Sequence, residues 1–213
     1  MDLFYDPPYY AFWANETPDE VQAARQWLKD LIARSGPYDG VMMFSQGCML
    51  ASSSLLLQVA HEPGSPPLFN AAIFICGGPS LHTAESVGYH ISPEMRERDE
   101  KSRDALEKQA DVEAILAQGS ERWSGGDYMN GKTEEQLREE FQGPCKISIP
   151  TAHIYGDKDP RYPAGVMLSA VCDPTKRKTY NHEGGHEIPR KDAVSRRIAM
   201  LVRWALEQGK ASG

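Results

Sequence analysis

The sequence predicts an α/β fold, a mostly parallel sheet with helices on both faces. Three observations carry this. The short continuous apolar run in "DGVMMFS" reads as a strand buried on both faces, "FNAAIFICGG" as a second buried strand and "IPTAHIYGDKD" as a third strand ending in acids. Segments with apolar residues at helical spacing lie between and around them. Strand and helix therefore alternate, the pattern of parallel strands joined by crossovers. A chain of 213 residues fits one domain, 1–213, with a core large enough to need no disulfide or metal.

The elements follow in order. Met1 to Asn15 is rich in aromatics and proline and reads as a loop packed on something. Thr17-Pro18-Asp19-Glu20 starts a helix, with Thr as N-cap, Pro at the first position and acids in the first turn. Val21, Ala24, Trp27, Leu28, Leu31 and Ile32 form its apolar face, and Ser35-Gly36-Pro37 ends it. The first strand, "GVMMF", gives way at once to "QGCMLASSSLLLQVA", a helix of small residues and leucines. The second strand follows. Residues 79–143 form a long polar insert, helical over Pro93 to Gln118 and Thr133 to Phe141. The third strand ends in acids, "KRKTYNH" is a short fourth strand, and "EGGHEIP" is a glycine-rich loop. Asp192 to Gln208 closes the chain as an amphipathic helix with Ile198, Leu201, Val202 and Ala205 inward.

Composition narrows the function classes. A net charge of −7 disfavours nucleic acid and anionic membranes as partners. No apolar run is long enough for a membrane span, and "MDLFYDPPYY" lacks the basic and apolar regions of a secretory signal. The 4 cysteines, Cys48, Cys76, Cys145 and Cys172, are scattered without a CxxC pair and read as reduced thiols of a cytoplasmic protein. No Cys/His spacing supports a zinc site, so neither metal nor cofactor is expected.

In a parallel sheet the chemistry lies beyond the carboxyl ends of the strands. Ser45, Asp159 and His186 all fall there. A serine hydroxyl needs a histidine to take its proton and a carboxylate to orient that histidine. The order Ser, Asp, His is that of the α/β-hydrolases. "FSQG" nearly matches the G-x-S-x-G elbow, with Gly47 allowing a tight exit and the Gln46 amide as an oxyanion donor. The competing reading of Ser45 is an ordinary helix N-cap. Asp157 competes with Asp159, and His182 with His186. His61, His82, His90 and His153 read as structural. Tyr9, Tyr10, Trp13, Trp123 and Tyr128 are candidate pocket aromatics, or simply packed.

"GPYDGVMMFSQG", "IPTAHIYGDKDPRYP", "VCDP" and "EGGHEIPR" together resemble the FSH serine hydrolases, α/β-hydrolases that include thioesterases releasing polyketides in fungi. The resemblance runs from "FYDPPYYAFW" to the last helix. It implies Ser45 as nucleophile, Asp159 as acid, His186 as base, and the 79–143 insert as a lid over an acyl pocket. The substrate it implies is an acyl ester or thioester, delivered in biosynthesis on the arm of an acyl carrier protein.

Two departures stand out. Met43 occupies the place of the first elbow glycine, at a crowded junction that an adaptable thioether can fill. By this resemblance the chain also begins after the family's first strand and its "LHG"-type loop. Loss of that loop's oxyanion donor costs on the order of 10²–10³ in rate, roughly 3–4 kcal/mol. Loss of the strand leaves "GVMMF" as an apolar edge. Either this is a shortened form of a longer protein, or another segment or chain covers that edge. Both departures motivate an alternative reading, a catalytically weak or inactive hydrolase-fold protein that binds a hydrophobic molecule or a partner.

Overall fold

The computed structural model describes residues 10–109 and 112–212. Four strands, β1 (Gly40–Phe44), β2 (Ala71–Ile75), β3 (Thr151–Tyr155) and β4 (Arg177–Asn181), pair in parallel in that order. Helix α1 (Pro18–Ser35) precedes β1, and α2 (Gln46–His61) connects β1 to β2. The long connection to β3 carries α3 (Leu81–Ser86), α4 (Pro93–Gln109), α5 (Val112–Gln118), a 3₁₀ turn at Gly119–Arg122, and α6 (Glu134–Glu140). Helix α7 (Tyr162–Ala170) connects β3 to β4, and α8 (Asp192–Ser212) follows.

Side chains alternate across the central strands and feed two cores. On one face Ala71, Ile73, Ile75, Ala152 and Ile154 meet α8 through Val194, Ile198, Leu201 and Ala205. On the other, Ala72 and Phe74 meet Leu28 of α1, Leu50 of α2 and Leu168 of α7. Strands β2 and β3 are buried along their whole length, β2 as its unbroken apolar run requires and β3 with the polar Thr151 and His153 enclosed.

Strand β1 departs from the two-sided burial its sequence predicts. Only Val41 is buried, while Met42 is 51% and Phe44 40% exposed. The cause is position: β1 ends the strand order, with no strand on its other side among the described residues. The apolar edge anticipated for "GVMMF" is therefore present.

The first helix starts as its sequence dictates. Thr17 Oγ1 accepts a 3.3 Å hydrogen bond from the Glu20 amide, with Pro18 as the first helical residue. Val21, Ala24 and Leu28 are buried, but Trp27 is turned outward and packs its ring 5.9 Å from that of Phe12. Thr133 and Gln136 close a capping box on α6.

Of the helix predicted over 93–118, the described residues fall in α4 and α5, and residues 110 and 111 between them lie outside the described residues. Helix α4 buries only Met95, Arg98 and Ser102, so most of its surface is polar and open. Helix α7 has no counterpart in the periodicity, because every residue from Pro163 to Ala170 is buried. A helix enclosed on all sides carries no amphipathic stripe to detect. The predicted packing of Met1 to Asn15 falls partly on residues 1–9, outside the described residues.

His153, in the middle of β3, is fully enclosed and bonds Thr151 Oγ1 through Nε2 at 3.1 Å. Burial, aided by the Arg177 and Arg138 cations, pushes its pKa down to about 3. The unfolded chain therefore takes up this proton before the folded chain does. Stability is expected to fall as pH drops from about 6.5 toward 3, and His153→Gln to flatten that fall. Equal slopes of melting temperature against pH in wild type and variant would contradict this.

Candidate active site

Ser45 lies between the last residue of β1 and the first of α2. Its backbone sits at φ 51°, ψ −119°, a conformation a non-glycine residue adopts only when its surroundings hold it there. The Ser45 amide donates to the Ile75 carbonyl at the end of β2, at 3.0 Å, and the Ser45 carbonyl accepts from Cys48 N at 3.0 Å. Glycines allow this close approach. A β-carbon on Gly77 would lie 2.6 Å from the Ser45 carbonyl, and one on Gly47 would lie 3.1 Å from Met43 Sδ. Met43 thus rests against Gly47, and the turn accommodates it.

The two readings of Ser45 separate on one observation. Its side chain makes no capping hydrogen bond to α2. Ser45 Oγ instead lies 2.9 Å from His186 Nε2, and His186 Nδ1 lies 2.9 Å from Asp159 Oδ2. Three residues spread over more than a hundred positions meet at one rim of the sheet. With Asp159 ionised, Nδ1 carries the proton and Nε2 is left to accept the hydroxyl's.

Each partner is held by its loop. Asp159 is completely buried, in a turn closed by Asp159 N to the Gly156 carbonyl at 3.1 Å and Tyr162 N to the Asp159 carbonyl at 2.9 Å. The Arg161 amide donates to Asp159 Oδ1 at 2.7 Å, leaving Oδ2 for the imidazole. Phe44 and Trp123 flank the imidazole at centroid distances of 5.0 and 6.3 Å. The two loops are joined where Lys158 N donates to the Gly184 carbonyl at 3.0 Å.

The rivals lie elsewhere. Asp157 is exposed, and its amide donates to Asn181 Oδ1. His182 follows β4 directly and is buried beneath the loop. Its Nδ1 accepts from Gly184 N at 3.2 Å, and its Nε2 lies 3.6 Å from Cys76 Sγ. Burial lowers the His182 pKa despite the nearby Asp159 carboxylate, so the ring is a neutral strut. The Cys76 thiol in turn reaches the carbonyl of Glu187, the residue after His186, at 3.5 Å.

Cys76, Asp159 and His186 also form a grouping of metal-type donors, one atom of each lying within 4.8 Å of the others. It is a poor cation cage. Both Asp159 oxygens and both imidazole nitrogens already have partners. Burial, then the Asp159 charge, pushes the Cys76 thiol well above its ordinary pKa, so it offers no thiolate.

Gln46 opens α2, and its amide is among those that the first turn of a helix leaves without an intrahelical partner. Its side chain pins the incoming chain: Oε1 accepts from Phe12 N at 2.9 Å, and Nε2 donates to the Trp13 carbonyl at 3.0 Å. A cleft of about 350 Å³ opens over Ser45 and His186, walled by Trp13, Met49, Leu106, Arg103, Glu107 and Arg161. The larger cavity, about 1100 Å³, lies along Phe44, Trp123, Ile188 and Pro189, and its lining includes neither Ser45 nor His186. Of the candidate pocket aromatics, Trp13 lines the cleft and Trp123 flanks His186. Tyr10 is 91% exposed, Tyr128 is bonded to Gln109 and Gly125, and Tyr9 lies outside the described residues.

The family model described as Serine hydrolase (FSH1) matches residues 4–198. The chain belongs to the FSH1 serine hydrolase family. Among relatives of this serine hydrolase, Esterase FPY3 of Fusarium mangiferae is 30% identical, over 92% of this chain and 71% of its own length. Esterase alnB of Emericella nidulans is 25% identical, over 97% and 80%. Hydrolase FUB4 of Fusarium oxysporum f. sp. lycopersici is 25% identical, over 92% and 76%.

Several supports of the FSH1 site were not legible in its motifs. "CGG" after the second strand is the signal that could have found Cys76. The Cys76 backbone has positive φ, at 50°, and the two glycines behind it let α2 and α7 come close. Gly156 is the tightest point. A β-carbon there would lie 1.9 Å from the Gly184 carbonyl oxygen and 2.7 Å from His182 Cε1. Gly156→Ala is expected to destabilise by about 1–3 kcal/mol and to cost more activity than stability, because it drives the Asp159 and His186 loops apart. Thermal melts and ester turnover per folded molecule check this. An unchanged rate in folded variant would contradict it.

Proposed function

We propose that this serine hydrolase cleaves carboxylic esters or thioesters through Ser45, His186 and Asp159. The hydrogen bond from Ser45 Oγ to His186 Nε2 carries the proposal, because it is made in place of a helix cap. Ser45 Oγ attacks the acyl carbonyl as Nε2 takes its proton. Asp159 holds the ring's tautomer and stabilises the imidazolium that forms. The Gln46 amide, aided by the N-terminal end of the α2 dipole, receives the developing oxyanion. His186 returns the proton to the departing alcohol or thiol. Water, deprotonated by the same nitrogen, then releases the acid from Ser45.

Trp13, Met49 and Leu106 give the cleft an apolar wall suited to an acyl chain. The segment 79–143, whose helix α4 contributes Arg103, Leu106 and Glu107 to that wall, serves as its lid. No helix among the described residues is long and apolar enough to cross a membrane. Four free cysteines suit the reducing cytoplasm. Release of a polyketide acyl chain from an acyl carrier protein in secondary metabolism is the biosynthetic form of the same reaction.

Matched acyl esters and thioesters of increasing chain length, the latter on N-acetylcysteamine, test the reading. Hydrolysis of both series is expected, with kcat/KM rising with chain length until the cleft is filled. Hydrolysis of neither would overturn it.

A further inference from the structure

The backbone of Arg161 holds the catalytic acid, while its side chain holds the helix over the cleft. The Arg161 guanidinium is almost fully buried. It meets α4 through Asp99 Oδ1 at 2.8 Å, the Asp99 carbonyl at 3.0 Å and Ser102 Oγ at 2.6 Å. Gly78 leaves it room, since a β-carbon there would stand 3.3 Å from Arg161 Nη2. The ionic chain continues outward. Asp99 Oδ2 accepts from Arg103 Nε at 2.7 Å, and Arg103 Nη2 reaches Glu16 Oε2 at 3.0 Å, ahead of α1. One network therefore ties together the turn that presents Asp159, the helix over the cleft, and the segment that carries Trp13.

We infer that Arg161 is a positioning residue, and that with Asp99 it forms a latch making the alignment of Asp159 depend on α4 being seated over the cleft. This rests on the proposed roles of Ser45, Asp159 and His186. When α4 lifts for substrate or product, Asp99 and Ser102 leave with it. A buried cation stripped of its partner turns to the nearest anion. Here that anion is Asp159, whose Oδ1 already accepts from the Arg161 amide. The cation then competes with His186 for the carboxylate, and the imidazole loses its orienting partner until the helix closes. Asp99 is suited to the task. Burial alone would raise its pKa, but the Arg161 and Arg103 cations hold it below the ordinary range, so it remains an anion.

The charged and titratable groups around His186 include Asp159 with Arg161 behind it, Cys76 after β2 with His182 against it, Glu187 next in the chain, and Arg103 and Glu107 from α4 across the cleft. On the remaining side Arg122 stacks on Trp123. Removing the Asp99 charge takes one anion from these surroundings, which disfavours protonation of the imidazole.

The test measures p-nitrophenyl ester hydrolysis against pH for wild type, Asp99→Asn, Asp99→Glu and Ser102→Ala, with rates divided by the sites that a fluorophosphonate labels. For Asp99→Asn, kcat is expected to fall ~10-fold with KM changed less than threefold. The acidic limb of its kcat/KM profile should move about half a pH unit or more to lower pH. Asp99→Glu should recover part of both effects. Ser102→Ala, which keeps every charge and only loosens the fork, should lower kcat without moving the limb. A limb that stays in place in a folded, labelled Asp99→Asn enzyme, or a kcat per labelled site equal to wild type, overturns the latch. Wild-type enzyme that turns over no ester overturns the hydrolase assignment instead, so the two failures are distinct.

Discussion

Ser45→Ala is expected to lower ester turnover by on the order of 10⁴-fold or more, with the protein still folded. The reason is local. Ser45 Oγ makes its hydrogen bond to His186 Nε2 and none to the first turn of α2, so removing it takes away no helix cap. Alanine also tolerates the strained backbone no worse than serine does. A melting temperature close to wild type should therefore accompany the loss of rate. Steady-state hydrolysis of a short p-nitrophenyl ester, beside a thermal melt, checks both halves. Turnover within tenfold of wild type would remove Ser45 from the chemistry.

Asp159→Asn should have the next largest effect, a fall of about 10³–10⁴ in kcat at neutral pH. Asparagine is nearly the same size, so the completely buried side chain still fits its turn. What changes is the proton. Asp159 Oδ1 accepts from the Arg161 amide, which fixes the amide oxygen of an asparagine on that side and turns its NH₂ toward His186 Nδ1. A donor facing Nδ1 favours the tautomer with the proton on Nε2, where it cannot accept from Ser45. Asp157→Asn, at an exposed position, should leave kcat within twofold of wild type. Equal losses in the two variants would contradict the choice of Asp159 over its neighbour.

Strand β2 was legible because its unbroken apolar run writes burial directly into the sequence, whereas β3 is just as buried with Thr151 and His153 inside it. The same signal misled at β1, since an apolar run does not say whether another strand lies beside it. Helix α7 left no periodic trace for the opposite reason, being enclosed on every side. At the site, Ser45, Asp159 and His186 could be named because each follows a strand, and strand ends converge on one rim of a parallel sheet. The sequence itself favours His186 over His182, because His186 stands in the glycine-rich loop and His182 at the end of the strand before it. What packing adds is the partner of each: His186 faces Ser45, while His182 lies against Cys76 beneath the loop. Nothing in the "GDKDPRYP" stretch marks Arg161, because its partners Asp99 and Ser102 lie far away in sequence.

Met43 shows how a departure from a motif can be absorbed. A glycine is usual there because the strand and helix of the elbow nearly touch. Here the thioether lies along Gly47, and the serine keeps its positive φ and its bond to His186. Methionine's unbranched, flexible chain makes this fit possible where a β-branched residue would press on the helix.

The most direct test of the central claim is labelling by a fluorophosphonate, followed by intact mass and peptide mapping. One equivalent should attach to Ser45, with simultaneous loss of ester hydrolysis and no labelling of Ser45→Ala. Wild-type enzyme that keeps hydrolysing esters while unlabelled, or that carries the label on another residue, would contradict the assignment.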